Sequence, residues 1–257
     1  MTERRVTRDA LFGGRITLVQ PARGTGYRMN VDAILLGAFA AAGGRSVRLA
    51  IDLGSGVGAV GLTVLFLGAA NRVEFVEKDA AAAELCERNL KDNGFAARGA
   101  VHVTDLEAPL ERSEPGLARA AQLVVANPPF VAPGRDGRAP AQKAVAGRIA
   151  ARRGDLAPFV RAAAAALGRR GRACFVYPAH ALLELTSLAR VSGLEPKRLR
   201  FVHGKADRPA RVALVELAPA KPGGLVVEPP LIEVGPDGKA TSELAALLDP
   251  DAKRGGG

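Results

Sequence analysis

Cysteine and histidine are scarce in this chain of 257 residues, which holds two of the first and three of the second. Cys86 and Cys174 lie far apart, and neither has another Cys or a His at ligand spacing. That argues against a zinc site and against a disulfide framework, and leaves both as small core residues. His102, His180 and His203 are isolated in sequence and receive no role, so no metal is expected. Long apolar runs are missing as well. The longest nearly uncharged stretch, Val57 to Ala70, falls short of the roughly 20 residues that span a bilayer. The opening MTERRVTRD is charged where a secretory signal needs an apolar centre. A soluble, cytoplasmic protein with no membrane partner is expected.

Acidic residues are the minority: 26 Asp and Glu stand against 36 Lys and Arg, for a net charge of +10. Arginine bonds phosphate through two nitrogens at once, so an arginine excess is compatible with a polyanionic partner such as nucleic acid. Base composition of the genome explains a bulk excess equally well; clustering is the stronger sign. Residues 148–172 hold seven arginines and one aspartate, and residues 196–211 hold six basic residues and one aspartate.

With 48% hydrophobic residues the chain can bury one substantial core. ITLVQ (16–20) and GYRMN (26–30), joined by PARGT, read as a short hairpin, followed by a helix in VDAILLGAFAAAGG. Strands are expected at 47–53, 72–77, 100–104, 122–126 and 172–177. Helices alternate with them: GVGAVGLTVLFLGAA, 79–94 (capped by Asp79 and closed by Gly94), 156–168 and 179–193. Strand–helix alternation predicts an α/β fold with a mostly parallel, doubly wound sheet. KRLRFVH and ARVALVEL, separated by a short polar loop, predict a closing antiparallel pair, which makes seven strands in a Rossmann-like arrangement. The expected divisions are 1–45 as an N-terminal hairpin and helix, 46–220 as the main domain, and 221–257 as a C-terminal extension with a disordered end.

The first chemical motif is DLGSGVGAVG (52–61). A glycine turn between strand and helix lets a ligand approach the backbone, and the helix N-terminus presents unpaired N–H groups. Gly56, Gly58 and Gly61 fit the dinucleotide fingerprint, whereas Asp52 with Gly54, Gly56 and Gly58 fits a turn for S-adenosylmethionine; plain helix–strand packing is a third reading. Asp52 favours the second, because a carboxylate repels a pyrophosphate and attracts the methionine ammonium. Glu77, at the end of the second strand, can accept from both ribose hydroxyls, which either cofactor carries. Asp105 after the third strand can accept from an adenine amine, with Leu106 beside the ring.

The second motif is NPPF, Asn127 to Phe130, after the apolar run LVVA. Pro128 keeps Asn127 out of the helical region, and Pro129 stiffens the next peptide. The Asn127 side-chain oxygen and the Pro128 carbonyl are then two acceptors on a rigid loop, with no proline N–H to compete. Two acceptors at a fixed separation match the two hydrogens of an exocyclic NH₂, and Phe130 can stack on the ring that carries it.

With these motifs in order the chain resembles the class I S-adenosylmethionine-dependent methyltransferases that modify exocyclic amines. GYRMNVDAILLGAFA, NPPF, VHGKADRPARVALVEL, LVVEPPLIEV and DGKATSEL are similar to the bacterial tRNA1(Val) adenine N6-methyltransferases. The resemblance implies S-adenosylmethionine as cofactor and tRNA as partner, with adenine 37 beside the anticodon as target. It implies that Asp52, Gly54, Gly56 and Gly58 hold the methionine end, Glu77 the ribose, Asp105 and Leu106 the adenine, and Asn127, Pro128, Pro129 and Phe130 the target base. Asp32 either lies near that pocket or caps its helix. Lys205, Arg208 and Arg211, with the block that contains Arg148, Arg152 and Arg153, would face RNA phosphates. A ribosomal RNA guanine-N2 or a protein glutamine-N5 methyltransferase follows the same planar-amine logic. A nicotinamide oxidoreductase would instead bind NAD at the glycine turn, and a non-catalytic RNA-binding protein would bind RNA without the methyl donor.

Overall fold

The computed structural model describes residues 6–22, 31–129 and 156–250. Among them a nine-stranded sheet forms the centre. Its first seven strands are β3 (Val47–Leu53), β4 (Ala70–Glu77), β5 (Gly99–Val103), β6 (Ala121–Ala126), β7 (Leu167–Pro178), β8 (Glu195–Lys205) and β9 (Ala210–Ala218). They lie in the order β8-β9-β7-β6-β3-β4-β5. β3 to β7 are parallel to one another, and β9 runs antiparallel between β7 and β8. These are the seven strands expected from the sequence, with the antiparallel pair at the end of the chain order.

Two short strands, β10 (Val226–Val227) and β11 (Leu231–Val234), extend the sheet by pairing parallel to β8. Pro229 and Pro230 separate them, since neither can donate to the ladder. The helices are α1 (Val31–Ala42), α2 (Ala59–Phe66), α3 (Ala80–Asp92), α4 (Leu110–Ser113), α5 (Leu156–Ala166), α6 (Leu182–Val191) and α7 (Ser242–Leu248). Asp79 Oδ1 accepts the Ala81 N–H at 2.9 Å, and Gly94 adopts φ +73° beyond α3, the start and stop read from the sequence.

Each face of the sheet has its own apolar core, as double winding requires. α1, α2 and α3 cover one face, with Leu36, Leu62, Leu65 and Phe75 fully buried. α5 and α6 cover the other through Val160, Ala163, Leu185 and Ala189 against Ile51, Val124 and Phe175. The parallel strands β3 and β6 are buried on both faces, which is why they read as continuous apolar runs.

The described residues add two elements to the expectations. β2 (Ile16–Pro21), the ITLVQ strand, pairs antiparallel with β1 (Val6–Leu11) upstream of it. GYRMN lies outside the described residues. The charged residues Arg8 and Asp9 hide the alternation in Val6–Leu11, at an edge where no apolar face is required. α7 is an element that the sequence reading lacks; Thr241 caps it by accepting from Leu244 N, and Leu244 is buried. Residues 251–257, expected to be disordered, lie outside the described residues.

Candidate active site

Leu53 of β3 pairs with Ala126 of β6, so the glycine turn and the Asn-Pro-Pro loop leave the sheet side by side at its carboxyl edge. Topology brings the two sequence motifs together, at the edge where open parallel sheets bind ligands.

The glycine turn folds back over β4. Gly54 and Ser55 N–H both donate to the Val76 carbonyl, at 2.8 and 3.0 Å. Gly54, Gly56 and Gly58 adopt φ of +66°, +56° and +86°, a region that costs other L-residues roughly 1–2 kcal/mol. Their surroundings differ. A Cβ on Gly54 would strike the Phe159 ring at 2.5 Å, whereas a Cβ on Gly56 would meet nothing within 4 Å. Gly56 is thus the place where a ligand can reach the backbone. Gly61, third glycine of the dinucleotide register, serves packing: its Cβ would lie 2.2 Å from Phe75.

Two carboxylates organise this turn. Asp52 Oδ2 accepts from Gly61 N at 2.8 Å, and the residue is buried. Burial pushes its pKa up to about 7; the Gly61 bond opposes that shift and nearby Glu77 adds to it. Glu77 accepts from Gly56 N at 2.7 Å through Oε2 and from Asp79 N at 2.8 Å through Oε1. One backbone bond per oxygen leaves acceptor capacity on both. Asp105 is exposed, accepts from Glu107 N at 3.1 Å and lies 3.9 Å from Lys78. Leu106 beside it is buried.

Asn127 directly follows β6, with its Oδ1 buried and without a hydrogen-bond partner among the described residues. Pro128 behind it is buried. Phe130 lies outside the described residues, as do Arg148, Arg152 and Arg153.

The basic residues divide into two kinds. Lys205 and Arg208 are exposed on the turn between β8 and β9, and Arg208 pairs loosely with Asp207 at 3.8 Å. Val212 pairs with both Pro178 and Val202, which puts that turn at the same sheet edge as Asn127. Arg211 is differently engaged: its Nη2 lies 2.7 Å from both Asp32 Oδ1 and Glu233 Oε1. Burial lowers its pKa, but the bonds to Asp32 and Glu233 outweigh that and raise it overall. Asp32 is completely buried. Arg211 thus joins α1, β9 and β11 through Asp32 and Glu233, a structural tie that the expectations of Arg211 as a phosphate contact and of Asp32 as a helix cap or pocket residue do not include. Arg172, part of the basic block, likewise turns inward. It donates to the Ala40 carbonyl at 3.1 Å and approaches Glu216 at 3.6 Å.

Asn89 is a structural residue that the sequence reading does not single out. Its Oδ1 accepts from Val19 N at 2.7 Å, while Nδ2 donates to the Val19 and Val57 carbonyls, each at 2.9 Å. One fully buried amide thus ties the N-terminal hairpin to the glycine turn. The readable signal is an Asn on the α3 stripe of Ala83, Cys86 and Leu90, where a polar group must find partners.

Among the described residues no helix is long and apolar enough to cross a membrane, and no cluster of His, Cys, Asp and Glu is placed to hold a metal ion.

The methyltransferase small domain family matches residues 31–184. The chain is similar to a tRNA1(Val) (adenine(37)-N6)-methyltransferase of Edwardsiella ictaluri, 30% identical over 195 residues that cover 73% of this chain and 72% of the relative. A protein of the same name from Erwinia tasmaniensis is 28% identical over 214 residues, 82% of each chain. Among solved structures, a predicted O-methyltransferase from Agrobacterium tumefaciens shares the fold with a TM-score of 0.65 at 23% identity, over 84% of this chain and 94% of that one. TYW2 of M. jannaschii in complex with AdoMet does so with a TM-score of 0.55 at 13% identity, over 85% and 87%. The small-domain match spans more than half of the sequence, and the first relative aligns over most of both proteins. The chain is therefore a methyltransferase and belongs to the family of the tRNA1(Val) (adenine(37)-N6)-methyltransferases, class I enzymes built on the methyltransferase small domain.

Proposed function

We propose that the chain uses S-adenosylmethionine to methylate the N6 amine of an adenine in tRNA, and that this adenine is number 37, beside the anticodon of tRNA1(Val). The observation that carries the reading is Asn127 Oδ1, a buried acceptor with no donor among the described residues. An unpartnered buried oxygen costs about 1–3 kcal/mol. An amine N–H from a substrate removes that cost, so the loop is built to receive a donor. The names of the relatives support adenine in tRNA as the source of that donor.

The residues at the glycine turn fit the cofactor. Gly56 leaves its backbone open to a close approach, Glu77 retains acceptor capacity for two ribose hydroxyls, and the Asp52 carboxyl attracts a cation. Asp105 and Leu106 serve the adenine side. When bound, S-adenosylmethionine supplies a methyl group already activated as a sulfonium.

The chain contributes position. Asn127 Oδ1 and the Pro128 carbonyl each accept one N–H of the planar amine, which draws the nitrogen lone pair out of conjugation. Phe130 stacks on the ring. Holding two reactants in line is worth several kcal/mol, about 7–11 at best, and no general base of unusual pKa is needed. After transfer the nitrogen is acidic and loses its proton to water or along Asn127. Lys205 and Arg208 contact phosphates flanking the base.

Nucleosides from tRNA of a strain lacking the gene test the substrate. Loss of N6-methyladenosine from the valine isoacceptor is expected; an unchanged tRNA profile with a missing ribosomal RNA modification would overturn the assignment.

A further inference from the structure

A groove of about 710 Å³ runs along the outer side of α5, from Leu106 beside the proposed cofactor adenine to Gly168 and Arg169 at the far edge of the sheet. Arg119, Arg161 and Arg169 line it, with Glu107 and Glu111 towards the Leu106 end. It adjoins a second depression of about 660 Å³ lined by Arg169 and Arg170. Its near end lies at the site: Phe159, whose ring packs on Gly54, is in the helical turn before Arg161.

All four arginines are exposed, and none forms an ion pair among the described residues. Other arginines are closely paired, as Arg190 is with Glu195 at 2.8 Å and Arg198 with Glu216 at 3.0 Å, whereas Arg45, Arg48 and Arg112 are exposed and without an ion pair among the described residues. What sets Arg119, Arg161, Arg169 and Arg170 apart is that they gather around adjoining depressions. Like charges gathered around one groove repel each other, and a polyanion relieves that repulsion. Arg119 is also held in place: it adopts φ +55° and its N–H donates to the Ala165 carbonyl at 2.9 Å. Arg161 lies on α5, Arg119 meets the last turn of that helix at Ala165, and Arg169 and Arg170 follow at the start of β7, so the cations flank the C-terminal half of α5 and the strand beyond it. Four cations on separate segments exceed what a single phosphate can contact, whereas a backbone with a charge at every nucleotide can engage them. Leu188 and the exposed Val191 add an apolar wall that suits ribose faces.

We propose that this groove binds the phosphate backbone of tRNA beyond the anticodon loop, so that the RNA leaves the Asn127 edge along α5 and passes to the opposite edge of the sheet. The proposal rests on the reading of tRNA as substrate and adds the surface that holds its body.

The test compares the full-length protein with the triple variant Arg161→Glu, Arg169→Glu, Arg170→Glu, and with the milder glutamine triple, on whole tRNA and on a short anticodon stem-loop. For whole tRNA the glutamate triple should raise Kd and KM at least tenfold, and the slope of log affinity against log salt should fall by about 2–3, near 0.9 per lost phosphate contact. Melting temperature, S-adenosylmethionine affinity and turnover of the stem-loop should stay at wild-type values, and the glutamine triple should show the same pattern at smaller size. Unchanged binding of whole tRNA by both triples would overturn the groove while leaving the proposed activity intact. A wild-type protein that binds the methyl donor yet neither binds nor methylates tRNA would overturn the proposed substrate, and the groove assignment with it.

Discussion

Asn127 couples stability and function in opposite directions. Its orphaned oxygen burdens the ligand-free fold, so Asn127→Ala should hold or raise the melting temperature while turnover falls by at least about 100-fold, the loss typical of a transition-state hydrogen-bond partner. Cofactor affinity should stay within a few-fold, as calorimetry would show; retained turnover would remove the residue from the mechanism. Asp52 makes a second prediction. Its carboxyl stays protonated from its ordinary value of 3.8 up to about 7, an interval in which the unfolded chain has already lost that proton. The ligand-free protein therefore loses stability as pH rises through that interval. A bound ammonium favours the carboxylate, so affinity for S-adenosylmethionine should increase from about pH 6 to about pH 8, with proton release near neutrality. Asp52→Asn should flatten that profile. Arg211 gives a third: Arg211→Ala leaves the Asp32 carboxylate buried beside a lost cation, which should cost on the order of 3 kcal/mol in thermal or urea unfolding. A variant with normal stability and weakened tRNA binding would instead favour the phosphate role. The sequence offers all three residues but not their partners, because a pairing between positions 32 and 211 depends on how β9 is threaded.

At the scale of elements, the glycine turn separates ligand access from packing. Gly56→Ala meets open space and should cost about 1–2 kcal/mol for its left-handed backbone while weakening cofactor binding more than tenfold. Gly61→Ala drives a methyl into Phe75 and should destabilise the fold by about 1–3 kcal/mol. Chemical denaturation beside cofactor titration separates the two, and equal effects on both readouts would merge their roles. The turn, the strands and the long helices are legible in the sequence because each carries its own period, cap or breaker. The first hairpin is not: ITLVQ shows which residues want a partner, but the charged Val6–Leu11 does not announce itself as that partner. Asn89 holds β2 from α3, offering it both a donor and an acceptor. α7 escapes notice because seven residues carry too little periodicity to stand out.

For the molecule as a whole, the strand order follows from alternation and right-handed crossovers, and it alone makes neighbours of the two motifs by setting Asp52 beside Val125. Charge is legible in the sequence only as totals and blocks. The fold sorts it, burying Arg172 and Arg198 against Glu216, committing Arg211 to Asp32 and Glu233, and leaving Arg119, Arg161, Arg169 and Arg170 around one groove. The account stands on a planar amine donating to Asn127 and Pro128 opposite an activated methyl group. The most direct test is methyl transfer from labelled S-adenosylmethionine by the purified protein to two tRNA1(Val) transcripts, one with adenine 37 and one with purine there, which lacks only the amine. Labelled N6-methyladenosine in the first and no label in the second is the predicted result; equal labelling of both would contradict it.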